Sequence, residues 1–128
     1  MQDNYFVFHH IGVPTDQVKP NERYSALFKM YTADDPSSPF RKQWHRFEAD
    51  SPLHDAIKDQ PHVAFKVSNL QQAIDGKACI LGPYEPLPGF LVAVYQEDNL
   101  VIELIETTLT DEEIWGRALQ QKSELYPE

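Results

Sequence analysis

The stretch PHVAFKVSNLQQAIDGKACILGPYEPLPGFLVAVYQEDNLVIELIET, residues 61–107, decides the fold. Residues 62–67 alternate: Val63, Phe65 and Val67 share one face, and His62, Ala64 and Lys66 share the other. That is the period of a half-buried strand. Ser68-Asn69 supplies a helix cap, residues 70–74 a short helical run, and Gly76 a stop. Three further apolar runs, 78–81, 90–96 and 100–105, are separated by Gly82-Pro83, by residues 86–89 and by Asp98-Asn99. The stretch therefore reads βαβββ. Its last strand carries Glu103 among Val101, Ile102, Leu104 and Ile105. A carboxylate is costly to bury there unless it is paired or binds a cation. If the first and last strands of the unit are neighbours, His62 and Glu103 converge on one face.

The chain has 128 residues, enough for one domain with its own core. Its net charge of −9 argues against a phosphate-backbone partner, so no nucleic-acid role is expected. The N-terminus MQDNYFVFHH lacks the flank and apolar core of a signal peptide. No apolar run approaches the roughly 20 residues of a membrane span. Cys79 is the single cysteine, which excludes an internal disulfide and fits a reducing compartment. A cytoplasmic protein with no membrane partner is expected.

Outward from residues 61–107, the first half repeats the pattern loosely. Residues 5–13 read as a strand, with Tyr5, Val7, His9, Ile11 and Val13 on one face and Phe6, Phe8, His10 and Gly12 on the other. Residues 14–21 hold two prolines, so a regular helix is not expected. Residues 24–32 read as one strand, 33–42 as a loop and 43–48 as a strand with His45 and Phe47 on a common face. Asp50 or Ser51 is expected to cap a linker helix over 51–58. A helix is also expected from 111 to about 122, capped by Thr110. Modules then span about 5–49 and 61–107, with 108–128 a tail. His10 corresponds to His62, and His45 to Glu103, at spacings of 35 and 41 residues. Packed with pseudo-twofold symmetry, the four would meet. Three imidazoles and a carboxylate suit Zn, Ni, Co, Mn or Fe(II).

HHIGV at 9–13, DSPLHDAIKDQPHVAFKV at 50–67 and LVIELIE at 100–106 resemble the vicinal-oxygen-chelate superfamily, which includes glyoxalases, methylmalonyl-CoA epimerases, extradiol dioxygenases and bleomycin-resistance proteins. The middle stretch is similar in form to the epimerase branch. The resemblance implies an α+β fold: two βαβββ modules forming a cupped, eight-stranded mixed sheet around a metal cavity, commonly as a homodimer. It implies His10, His45, His62 and Glu103 as ligands of a divalent metal ion. In the lyase and epimerase branches the position taken here by His45 is usually Glu or Gln, so His45 is a departure. So is the missing helix over 14–21. No basic cluster offers an anchor for CoA or glutathione.

These residues also have ordinary uses. His10 can be a strand histidine satisfied by a backbone carbonyl, His62 an exposed residue at a strand start after Pro61, and Glu103 can pair with Lys66 or Arg46 across the sheet. His9 and His54 are expected to be structural or exposed, Glu48 and Glu106 solvated, and Cys79 a core residue. Tyr31, Tyr95 and Phe47 are expected to be core residues that could line a cavity. The leading expectation is a metal-dependent lyase or isomerase acting on a small substrate with vicinal oxygens through a stabilised enolate, with Glu103 as base. A metal-free binding protein of the bleomycin-resistance kind is the alternative, and an iron-dependent dioxygenase a third.

Overall fold

A computed structural model of the chain describes residues 4–110. They form eight strands, β1 Phe6–Pro14, β2 Arg23–Ser25, β3 Met30–Asp34, β4 Lys42–Phe47, β5 His62–Val67, β6 Cys79–Leu87, β7 Phe90–Glu97 and β8 Leu100–Thr107. Two short helices accompany them, α1 Asp55–Asp59 and α2 Leu70–Ala73. All eight strands join one mixed sheet in the order β2-β3-β4-β1-β5-β8-β7-β6. Each half contributes its strands in the same internal order, mirrored about the antiparallel β1–β5 pair. That is the topology of a duplicated unit, as expected. The repeat differs at its helix: α2 links β5 to β6, whereas residues 15–22 run from β1 to β2 as turns. Pro14 and Pro20 explain the difference, since each lacks the N–H a helix would use.

The sheet curls until its ends meet. Phe28, in the turn between β2 and β3, touches Tyr84 of β6 edge to face, with ring centroids 5.7 Å apart, although β2 and β6 lie at opposite margins. Each face has its own core. Met30, Ala64, Val92, Val94, Val101 and Ile105 pack on the concave side with Ile57 of α1. Val67, Ala93, Tyr95, Ile102 and Leu104 pack on the other side with Leu70 of α2. β8 is thus buried on both faces, which accounts for its unbroken apolar run. Glu103, two residues from Val101 and Ile105, lies on the concave face.

Several local expectations are corrected. Residues 24–32 are not one strand: 26–29 turn, and Ser25 pairs back with Met30. Lys29 takes the left-handed φ of 51° there, and Ser25 Oγ accepts from the Phe28 amide at 3.3 Å. Alternation continues through such a turn, so periodicity alone misses it. The linker helix starts later than expected. Ser51 Oγ donates to the Phe28 carbonyl at 2.6 Å instead of capping, and the cap is His54, whose Nδ1 accepts from the Ala56 amide at 3.0 Å. Gly82-Pro83 does not end a strand: β6 runs through a cis peptide there, with slips in register to β7. Glu106 is not merely solvated, because its carboxylate accepts from the Leu70 amide at 2.7 Å and so supports the start of α2. Asn69 caps that helix as expected, accepting from the Gln72 amide at 2.9 Å. The helix expected over 111–122 lies outside the described residues. Among the described residues no helix is long and apolar enough to cross a membrane.

Candidate metal centre

β1 and β5 sit at the middle of the sheet, each paired in parallel with the last strand of its own half. This brings three of the four expected residues together. His62 Nε2 lies 3.0 Å from Glu103 Oε1, and His10 Nε2 lies 3.4 Å from the same oxygen. The ligand atoms of all three fall within 4.8 Å of one another. Around an ion with bonds of about 2.1 Å, neighbouring ligand atoms sit roughly 3.0 Å apart at right angles and roughly 3.4 Å apart at tetrahedral angles. Two imidazole nitrogens and one carboxylate oxygen at these separations could hold a divalent cation.

Burial sharpens the case. His10 is 1% exposed and Glu103 5%. Burial by itself would push the Glu103 carboxyl up, but the His10 and His62 rings facing it outweigh that and hold it well below the usual carboxylate range. Glu103 is therefore an anion at neutral pH, answered neither by Lys66 nor by Arg46. Arg46 instead grips Glu22 with two hydrogen bonds of 2.8 Å.

His10 reaches this position through an irregularity no alternation predicts. The β1–β5 register slips between Phe8 and His10, leaving His9 as an extra residue in a bulge. The face assignment expected for β1 fails at that point: Phe6, Val7 and Phe8 are exposed, and His9 and His10 are both buried. The Nδ1 atoms of His9 and His10 are 2.8 Å apart, so one ring donates to the other.

His45 is not among the three gathered residues, and the strand registers explain why. Glu103 lies opposite Ala64, two residues beyond His62. The residue opposite Gly12, two beyond His10, is Gln43 and not His45. Gln43 is thus the counterpart of Glu103, and the equivalence drawn from sequence is displaced by two residues. Gln43 is 1% exposed and lines the same cavity. Its amide nitrogen donates to Asp34 Oδ1 at 3.2 Å, which turns its carbonyl oxygen the other way. The available signal was its place on the His45 face of β4, i and i+2 along a strand.

His45 still belongs to the cavity wall. Its Nδ1 is 3.1 Å from Thr32 Oγ1, and its Nε2 is buried without a hydrogen-bond partner. The His45 and His62 rings stack with centroids 5.3 Å apart. They fit because residue 12 is glycine: a β-carbon there would lie 2.6 Å from His62 Nε2 and 2.8 Å from His45 Nε2. The cavity, about 40 Å³, is otherwise walled mainly by apolar groups such as Met30, Phe47, Leu81 and Val94. Phe47 lines it as foreseen. Tyr95 packs on the far face, and Tyr31 lies under the Arg46 guanidinium. Tyr84 joins the wall, its phenol pushed up by burial and by Glu103 and therefore protonated. Burial also pushes the Cys79 thiol up, in keeping with a packing role.

Burial, then the neighbouring His62 and His10, hold the His45 imidazole well below the ordinary histidine value. In the metal-free protein the folded state then binds fewer protons than the unfolded state once pH drops below about 6.5. Stability from this group is complete above that value and is lost as pH falls through the lower folded value. The expected slope is up to about 1.4 kcal/mol per pH unit. Urea unfolding of chelator-treated protein from about pH 8 to pH 5 measures it. His45→Gln should flatten the curve, and an equal slope in both proteins would refute the assignment.

No protein-family profile matches the chain, and no curated protein does. Among solved structures, the chain is similar to the crystal structure of methylmalonyl-CoA epimerase from Mycobacterium tuberculosis. The TM-score is 0.55 at 14% identity, over 80% of this chain and 89% of that one. At this identity the likeness bears on the fold alone, and it agrees with the cupped, eight-stranded mixed sheet expected from the sequence.

Proposed function

We propose that the chain is a divalent-metal-dependent lyase or isomerase acting on a small substrate with two adjacent oxygens. The observation that carries this reading is the convergence of His10, His62 and Glu103, at 3.0 and 3.4 Å, in a buried apolar cavity. The epimerase named for the similar structure is an isomerase, which agrees in reaction class. In this reading His10, His62 and Glu103 would hold the ion, and Gln43, rather than the expected His45, would join them through its carbonyl oxygen. A cation held there would supply Lewis acidity, lowering the cost of removing a C–H proton beside a carbonyl. Glu103, loosened from the ion, would be the base for that proton: among the described residues it is the one anion lining the cavity, and apolar walls exclude the water that would compete. Tyr84, held protonated, bounds the cavity from β6.

For His10 to present a lone pair on Nε2, its Nδ1 must carry the proton and donate to His9 Nδ1. His9 then fixes the tautomer of a ligand, a role beyond the structural one expected of it. His9→Leu is expected to weaken Zn affinity about 10–100-fold. His9→Asn places an acceptor oxygen near the lost Nδ1 and should retain most of the affinity. Competition titration against a chromophoric chelator reads both, and equal affinity in His9→Leu would sink the role.

We extend the reading to a single domain over the whole chain, acting in the cytoplasm as a homodimer. The apolar strip Phe6, Val7 and Phe8, about half exposed on β1, supports the dimer. The deciding experiment is elemental analysis of untagged protein beside a His10→Ala, Glu103→Gln double variant. Near-stoichiometric metal that vanishes in the variant supports the reading. No uptake after incubation with Zn, Ni, Mn and Fe(II) favours the metal-free binding protein.

A further inference from the structure

We infer that His45 is a specificity-determining residue that hydrogen-bonds the substrate, accepting from a hydroxyl or N–H group placed beside its two chelating oxygens. The inference rests on the proposed cation site and deepens it. Three observations carry it. First, His45 is two residues out of register with the Glu103 position, and that place is filled by Gln43. Second, its ring is held from behind, with Nδ1 3.1 Å from the Thr32 hydroxyl across the β3–β4 pair. Third, its Nε2 is buried without a partner and reaches the same point over Gly12 as His62 Nε2.

A buried polar atom left bare is costly, and one aimed into a cavity is a position for a ligand group. The Thr32 hydroxyl can accept from Nδ1–H, which leaves a lone pair on Nε2. That tautomer suits an atom close to a bound cation, where a second N–H dipole would point the wrong way. A lone pair calls for a donor on the substrate. The remaining wall adds constraints: among the described residues it is mainly apolar and carries no Lys or Arg. The chemistry that fits is a small, uncharged vicinal-oxygen compound bearing one hydrogen-bond donor, such as a 2-hydroxy carbonyl. A 1,2-dicarbonyl compound of the same size offers no donor and would leave Nε2 unsatisfied.

Acetohydroxamate is a suitable probe, since it chelates through two adjacent oxygens and keeps an N–H between them. N-methylacetohydroxamate lacks that donor. Calorimetric titration of Zn-loaded wild type, His45→Leu and His45→Gln with each probe tests the inference. Zn affinity is measured in parallel, and thermal melts confirm that the variants fold. Wild type should bind acetohydroxamate about tenfold more tightly than His45→Leu does, the worth of one hydrogen bond. N-methylacetohydroxamate should not distinguish the two, and His45→Gln should recover part of the loss with Zn affinity unchanged. Equal binding of acetohydroxamate by all three proteins overturns the inference. Loss of Zn in both variants overturns it too, making His45 a ligand. A wild type that takes up no Zn overturns the cation reading itself, and this inference with it.

Discussion

Glu103→Gln is expected to lower divalent-metal affinity by more than about a hundredfold while leaving the fold intact. Gln has the shape of Glu, so packing between Val101 and Ile105 is preserved. The loss is electrostatic. Among the gathered groups Glu103 is the one anion, and its Oε1 faces both His62 Nε2 at 3.0 Å and His10 Nε2 at 3.4 Å. A cation in that space would meet only neutral donors after the change. In a cavity this apolar, no water-rich surroundings compensate for the missing charge. The same substitution removes the group proposed to accept the substrate proton, so turnover should fall with metal restored at saturating concentration. Elemental analysis and calorimetry with Zn measure the first effect. A variant that keeps metal with wild-type affinity would show that the three residues do not form the site.

Gly12→Ala is expected to be nearly as damaging, although residue 12 touches no metal in the proposed site. A β-carbon there would collide with His62 Cε1 and lie 2.6 Å from its Nε2 and 2.8 Å from His45 Nε2. Contacts that short force both rings to swing away, and His62 cannot then face Glu103. One methyl group in a packed interior costs about 1–3 kcal/mol in stability. The larger consequence is for the centre, where displacement of an imidazole by about 1 Å breaks a bond of fixed length. Metal content should fall well below stoichiometric, while circular dichroism still reports a folded sheet. Unchanged metal content and an unchanged melting temperature would mean that the rings have more room than their positions indicate.

Much of the fold was legible because its signals are local. The cap at Asn69, the stop at Gly76 and the alternating run at β5 act within a few residues, and all lie where they were expected. The split of residues 24–32 was not legible, since a turn built on the left-handed backbone of Lys29 leaves no mark in hydrophobic period. Nor was the cap of α1, because Ser51 was recruited by a carbonyl 23 residues away. In the candidate centre, His10, His62 and Glu103 stood out as polar residues in apolar strands. Gln43 did not: an uncharged amide in a strand beginning with Lys42 looks like solvent-facing sequence, and only its register reveals a partner to Glu103.

The sequence by itself determined the duplication, the strand inventory of the second half and the chemical character of the centre. Those follow from side-chain polarity and from turn chemistry read along the chain. Tertiary structure alone decided which polar residues meet. A bulge at His9 shifts the face of β1, and strand pairing sets the residue opposite Gly12. A change of one residue in either would turn a side chain to the other side of the sheet, because side chains alternate with a period of two. Register is a property of two strands together, so no reading of either strand alone can contain it.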